Sequence, residues 1–410
     1  MLNTTPDLYY FNPTCEYEVG NASPNWQPNR LLQQMESELD FLPMFFASGR
    51  DVVLVENLPS EKYLAHLNYL PIDLPSFISK REAFGNSKFQ SQSWQSLKPW
   101  GWSPAMHKLL SPYKPSCSEF FQQSPVFNWK NEYRDLYSKK FGLEILQRLL
   151  IEFPIKDFIQ KEQTAVVCKT KDDFEALLAK WNRLMVKAPW SSSGRGLQPI
   201  TKTPVHPKVW EKLLGIVTDQ GYALAEPLLN KKLDIAFQFR IEKQKVTFVG
   251  ISNFSADANG RYIGNHLNGL PDSIDSRIRN FAHRVPDMLV EPLIRILESS
   301  ELARSFEGYF GVDALIYEDK NGELKINPCL EINLRYNMGL LAIHLERFLV
   351  PGVKGMYRTW FQPGNNYFDF KTEMEKKHPL RINDGRLKSG FFSLTDPQPD
   401  SKFGAYILIV

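Results

Sequence analysis

The chain has 410 residues, 43% hydrophobic and 23% charged, with a formal net charge of +3. That balance belongs to a folded globular protein with room for two or three packed units, and it excludes a disordered or fibrous chain. So small a charge offers no bulk attraction for nucleic acid or a membrane surface, and no apolar run is long enough to span a bilayer. Cys15, Cys117, Cys168 and Cys329 lie far apart, which leaves no zinc or redox spacing and no disulfide framework. The opening residues carry neither a basic segment nor an apolar run, so no signal peptide is legible and a cytoplasmic location is expected.

Leu8–Phe11 reads as a buried first strand, ending at Asn12-Pro13-Thr14. Leu31, Leu32, Met35 and Leu39 have helical spacing, which predicts a helix over 28–42 with Asn29 as a cap. Val52–Val55 is a second strand, and Ser60 caps a helix through Leu64 and Leu67. Strand, helix, strand, helix predicts a small α/β unit with a parallel sheet. Loops at the C-terminal ends of such strands commonly meet ligands, which makes Asn12–Glu18 a candidate substrate loop. A Pro-containing turn with solvated acids is the simpler reading of it. Trp100 and Trp102 flank Gly101, and packing of that turn against the core accounts for them better than stacking on a ligand. The Pro- and Ser-rich stretch 111–125 reads as a connection.

One helix is expected over 131–150, stopped by Pro154, followed by a strand at 165–168 and a helix begun by Thr170. Leu184–Lys187 is a short apolar strand that ends in Lys and leads into Ser191-Ser192-Ser193-Gly194-Arg195-Gly196. Small residues let backbone N–H groups turn inward around phosphate oxygens, and a Lys adds a point charge. No Walker or dinucleotide fingerprint is present, and a flexible Ser/Gly loop explains the stretch equally well in isolation. Leu233–Ile241 alternates cleanly, with Asp234 and Arg240 on its polar face, and pairs with Val246–Ile251. The polar stretch 252–270, carrying Arg261, His266 and Asn268, reads as a surface loop and a candidate substrate platform. A long helix is expected over 285–306.

The stretch 308–339 carries the clearest chemistry. Two strand-like arms flank Asn321-Gly322, whose positive φ angles suit a tight hairpin. Period-2 alternation puts Glu331, Asn333 and Arg335 on one face of the second arm, and sets Asp313 apart from the apolar set of the first. Two carboxylates, an amide oxygen and a guanidinium on one hairpin suit a hard cation such as Mg²⁺, which takes oxygen ligands and completes its shell with water and phosphates.

A phosphate loop first and a carboxylate hairpin later, in that order, resembles the ATP-grasp superfamily from about residue 128 to 347. The resemblance implies two α+β lobes clasping ATP, preceded by a small Rossmann-like α/β domain. The expected units are 1–124, the lobes 125–221 and 222–350, and an extension over 351–410 with no assigned role. It implies that Lys187 and Lys140 (or its neighbour Lys139) reach the phosphates. Ser191, Ser192, Ser193, Gly194, Arg195 and Gly196 would form the flap. Glu226, Pro227 and Leu228 would hold adenine and Asp234 the ribose. Asp313, Glu331 and Asn333 would hold Mg²⁺ or Mn²⁺, and Arg335 would face the transferring phosphoryl group, with Lys187 and Arg195 as further catalytic groups. Arg240, Arg261, His266 and Asn268 are the candidate substrate residues. The implied activity is ATP-dependent joining of a small-molecule carboxylate to an amine or thiol, a peptide among the options, through an acyl phosphate. A phosphotransferase and a silent nucleotide-binding partner are the alternatives, and neither nucleic acid nor membrane is expected as a partner.

Overall fold

The computed structural model describes residues 5–191, 194–256 and 262–409; Ser192, Ser193 and Arg261 fall outside them. The first unit is a four-stranded parallel sheet of β1 (Asp7–Tyr10), β2 (Val52–Val55), β3 (Ser76–Ser79) and β4 (Ser96–Pro99), in the order β3-β2-β1-β4. Helix α1 (Cys15–Asn21) follows β1, and α2 (Arg30–Glu38) begins where the Asn29 side chain accepts from the Leu32 N–H. Ser60 caps α3 (Glu61–Leu67) in the same way. The predicted 28–42 helix is shorter at its end, because Leu42–Phe45, with Pro43 inside, closes as a 3₁₀ turn.

The second sheet is antiparallel, formed by β5 (Val166–Cys168), β6 (Leu184–Lys187), β7 (Leu197–Ile200) and β8 (Ala223–Pro227) in the order β5-β8-β6-β7. Two helices, Lys171–Trp181 with its Thr170 capping box and Pro207–Gln220, close one face over Phe174, Leu178, Leu184, Val186 and Leu213.

The third sheet has nine strands, all antiparallel to their neighbours. They are β9 (Asn230–Glu242), β10 (Lys245–Ala256), β11 (Tyr262–Leu267), β12 (Gly308–Glu318), β13 (Leu324–Asn333), β14 (Gly355–Phe361), β15 (Arg381–Asn383), β16 (Arg386–Ser393) and β17 (Phe403–Ile409). Their order is β13-β12-β9-β10-β11-β14-β17-β16-β15, so residues 351–410 extend this sheet rather than standing apart. On β9 the apolar set Leu233, Ile235, Phe237, Phe239 and Ile241 is buried as the alternation predicts. The opposite face is closed as well: Ala236 and Gln238 are buried, and helix Met338–Glu346 packs on that sheet.

Three expectations give way. The 131–150 helix is two, Tyr133–Leu136 and Lys139–Glu152, because Ser138 leaves helical geometry and its hydroxyl caps the Phe141 N–H. The 252–270 loop is mostly strand, since β10 runs to Ala256 and β11 covers 262–267; polar residues on both faces hide the alternation. The 285–306 helix instead runs Ser276–Glu298 through Pro286 and Pro292, and a second helix starts at Glu301. Phe281, Val285, Leu289, Leu293 and Ile296 are all buried along it. At roughly 1.5–3 kcal/mol each, that stripe outweighs the ~3 kcal/mol cost of an interior proline. All four cysteines are free and buried. Among the described residues no helix is long and apolar enough to cross a membrane.

Candidate functional site

The hairpin pairs Asp313 with Glu331 and Gly311 with Asn333, with a bulge before Leu315. Cross-strand partners share a face, so the two carboxylates and the amide stand together as the alternation predicts. The turn differs from the tight Asn-Gly form. Gly322 has a φ of 79° but Asn321 is not in the left-handed region, and the Asp319 carboxylate accepts from the N–H groups of Asn321 and Glu323. The loop is therefore an Asp-closed turn of several residues.

The two acids divide their proton. Burial and the neighbouring Glu331 charge push the Asp313 carboxyl well up from the ordinary range. Burial acts upward on Glu331 too, but the charges of Lys139 and then Lys187 outweigh it and hold this carboxyl below its usual value. Among the described residues no three His, Cys, Asp or Glu side chains converge as a ready cation cage. Two carboxylates and an amide oxygen are nonetheless the donor set that suits Mg²⁺, which leaves the remaining positions to water and phosphate.

Helix Lys139–Glu152 lies directly on β13. A Cβ on Gly142 would sit 3.2 Å from the Glu331 Cα, and the Cys329 thiol donates to the Gly142 carbonyl at 3.4 Å. This close approach sets the helix start over the hairpin. Lys139 Nζ meets Glu331 Oε2 at 2.7 Å and donates to the Ser191 carbonyl at 2.7 Å. Burial acts to lower the Lys139 pKa, but the carboxylates of Glu331, Glu16 and Asp313 together outweigh it and the shift is upward. Lys140, assigned to the phosphates by position, instead turns outward: its side chain is 52% exposed and pairs with Glu144 at 3.5 Å. Cap geometry decides between the two, because the first residue after Ser138 is the one carried to β13.

Lys187, at the end of β6, meets Glu226 Oε1 at 2.6 Å. Burial raises the Asp234 carboxyl on β9, and the charges of Lys231 and Lys187 oppose that rise; Lys187 also helps to hold Glu331 on β13 below its usual value, so one lysine acts on both β9 and β13. Asp234 pairs with Lys231 at 2.7 Å. After Glu226, Pro227 has no N–H and the Leu228 N–H donates to the Arg183 carbonyl, which leaves the carbonyl oxygens as the polar groups this backbone offers. In the flap, the buried Ser191 hydroxyl donates to the Ala188 carbonyl. Gly194 has a φ of 73°, and a Cβ on Gly196 would fall 2.1 Å from Ser191 Oγ. Arg195 is exposed.

Arg335 makes the link that sequence reasoning missed. Its Nε donates to Glu16 Oε1 at 3.0 Å, and an Nη donates to Asn333 Oδ1 at 3.4 Å. Burial acts to lower the guanidinium pKa, and Glu16, Cys15 and Glu331 together outweigh it upward. Glu16 belongs to the stretch 12–18, whose acids were expected to be solvated; both Glu16 and Glu18 are buried, and from Cys15 onward the stretch is α1. Gly101, between the two buried tryptophans, pairs with Arg335, and the Tyr336 N–H donates to the Trp100 carbonyl. Beneath the same turn, Asn337 Nδ2 donates to Gln238 Oε1 at 2.8 Å and Gln238 Nε2 donates to Ser252 Oγ at 3.1 Å. This buried network fixes the 333–337 turn that carries the arginine.

The three described candidate substrate residues, Arg240, His266 and Asn268, do not pair with the Asp313 and Glu331 rungs of the hairpin. Arg240 lies two ladder pairs beyond Gln238, on the Glu242 carboxylate at 3.2 Å and over the Tyr309 ring. His266, on β11, hydrogen-bonds Ser255, and β9 and β10 separate it from β12. Asn268 is a turn residue with a φ of 56°; its N–H donates to Glu346 and its side chain to the Val353 carbonyl.

No protein-family model and no curated protein matches the sequence. Solved structures do. The ADP complex of PurK, an N5-carboxyaminoimidazole ribonucleotide synthetase, superposes with a TM-score of 0.50 at 8% identity, covering 100% of this chain and 93% of that one. The N5-carboxyaminoimidazole synthetase from Staphylococcus aureus, complexed with ADP, gives 0.48 at 14% identity over 99% and 93%. Biotin carboxylase from Campylobacter jejuni gives 0.49 at 13% over 98% and 87%. The PurK likeness, spanning the whole chain, shows that the fold is the ATP-grasp fold with its preceding α/β domain.

Proposed function

We propose that the protein is an ATP- and Mg²⁺-dependent ligase that joins a carboxylate to an amine through an acyl phosphate. The observation that carries this reading is Lys139, whose Nζ joins the phosphate loop, at the Ser191 carbonyl 2.7 Å away, to the Glu331 carboxylate of the hairpin, also at 2.7 Å. Lys139 and Lys187 hold the phosphates, the 191–196 loop covers them, and Asp234 takes the ribose. Asp313, Glu331 and Asn333 hold the metal, which supplies neutralisation of phosphate charge when bound.

A substrate carboxylate oxygen attacks the γ-phosphorus, ADP leaves, and an acyl phosphate forms. The amine then attacks the acyl carbon and inorganic phosphate departs. Splitting one hard displacement into two easier ones is the general logic of covalent activation. Arg335, always charged and held by Glu16 and Asn333, is aimed to stabilise the phosphoryl oxygens in both steps.

ADP release over a matrix of carboxylates and amines tests the reading. Release that requires both partners is the expected result. ADP formed with an acid alone and a stable phosphorylated product would make the protein a phosphotransferase. Tight ATP binding with no ADP across the matrix would make it a silent nucleotide binder.

A further inference from the structure

The C-terminal ends of β1–β3 open onto a groove of about 1410 Å³, lined by none of Lys139, Lys187, Asp313 or Glu331. Asn12 follows β1, Glu56 follows β2 and Lys80 follows β3, while Glu18 of α1 and Glu36 of α2 face the same space. Asp400 and Lys402, just before β17, line it from the C-terminal stretch. The carboxyl edge of a parallel sheet is where ligands commonly sit, and the volume exceeds that of an ordinary small-molecule cleft.

Six acids line the groove against four bases, Arg30, Lys80, Lys108 and Lys402. Lys80 is already taken, by Asp40 at 3.0 Å and Glu56 at 3.9 Å. Glu18 and Glu36 accept hydrogen bonds only from neutral groups: the Ser103 hydroxyl reaches Glu18, and the Thr14 hydroxyl reaches Glu36. Neither forms an ion pair among the described residues. Burial pushes both carboxyls up to about 7; Glu36 adds to the rise at Glu18, and Lys80 opposes the rise at Glu36. Two acids sharing a groove with no ion-pair partner would each gain a charge-assisted hydrogen bond from a bound ammonium group.

The groove also adjoins the site described above. Glu16 and Glu18 lie two positions apart on α1, and Glu16 holds Arg335 with one oxygen while its other, Oε2, is buried without a hydrogen-bond partner. Asn12 grips Gly101 from both sides, with Nδ2 to the carbonyl at 2.8 Å and the Gly101 N–H to Oδ1 at 3.1 Å, and Gly101 pairs with Arg335. A molecule in the groove therefore lies against the same backbone that positions the phosphoryl-side arginine.

We propose that this groove holds the amine substrate, and that this substrate carries a second cationic nitrogen, as in a diamine, a polyamine or a basic amino acid. Glu18 and Glu36 bind the far ammonium group, and the near nitrogen, uncharged when it reacts, is presented toward Arg335. The inference rests on the ligase reading, which supplies the acyl phosphate.

Calorimetric titration of the full chain, with Mg²⁺ and a non-hydrolysable ATP analogue present, tests it with putrescine and spermidine as probes. Butylamine and glutarate are the comparison ligands. Both cationic probes are expected to bind at least tenfold tighter than butylamine, with glutarate showing no heat. Glu18→Gln and Glu36→Gln are each expected to weaken putrescine tenfold or more while the analogue still binds. The wild-type probe series stands by itself should either variant fail to fold. Analogue binding without any polyamine binding, preference for glutarate, or unchanged putrescine affinity in folded variants would overturn this inference and leave the ligase reading intact. Failure of the analogue itself to bind would strike the ligase reading instead.

Discussion

Glu331→Gln is expected to lower ADP formation by about 10²–10³-fold while the chain stays folded. The carboxylate is the charged member of the hairpin pair, with Asp313 opposite it in register and Lys139 on its Oε2 at 2.7 Å. Gln keeps the shape and still offers Lys139 a carbonyl acceptor. The buried lysine is then not left without a partner, an outcome that would cost about 3–5 kcal/mol. What Gln removes is the negative charge that a hard cation needs. Rates of ADP release, read beside a thermal melt, separate the two effects. A variant that melts normally and turns over at the wild-type rate would contradict the role given to Glu331.

The second large effect distinguishes two adjacent lysines. Lys139→Met is expected to lower ADP formation on the order of 10²-fold, with a raised KM for ATP, because it removes a buried cation between the flap carbonyl of Ser191 and Glu331. Lys140→Met should stay within about twofold, since a solvent-exposed i,i+4 pair with Glu144 contributes only ~0.3–0.5 kcal/mol. Steady-state kinetics on the two single variants give the answer. Equal losses, or a loss confined to Lys140→Met, would reverse the assignment.

These two lysines also show where sequence reading reaches its limit. Alternation in a strand is strict, so Glu331, Asn333 and Asp313 could be placed on one face from spacing alone, and the ladder bears this out. Which of Lys139 and Lys140 points inward depends on where a helix begins. Ser138 starts it by capping, inside a run whose apolar spacing reads as continuous. The Glu16–Arg335 pair was illegible for a different reason. It joins positions 319 residues apart, and nothing local to Asn12–Glu18 distinguishes a buried acid from a solvated one. The strand at 262–267 was hidden because its polar residues face other protein: His266 meets Ser255, and Asn265 is fully buried. The parallel character of the first sheet followed from two apolar runs and two capped helices, whereas β3 and β4, short and with exposed or half-buried polar residues, carried no such signal.

The central claim is that the Lys187 strand and the Glu331 hairpin close on one triphosphate. Crystals grown with Mg²⁺ and a non-hydrolysable ATP analogue test it most directly. The account predicts the analogue's phosphates in contact with Lys139 and Lys187, with metal density against Glu331 and Asn333. Nucleotide bound elsewhere on the molecule, with Lys187 still closed on Glu226 and nothing beside Glu331, would contradict it.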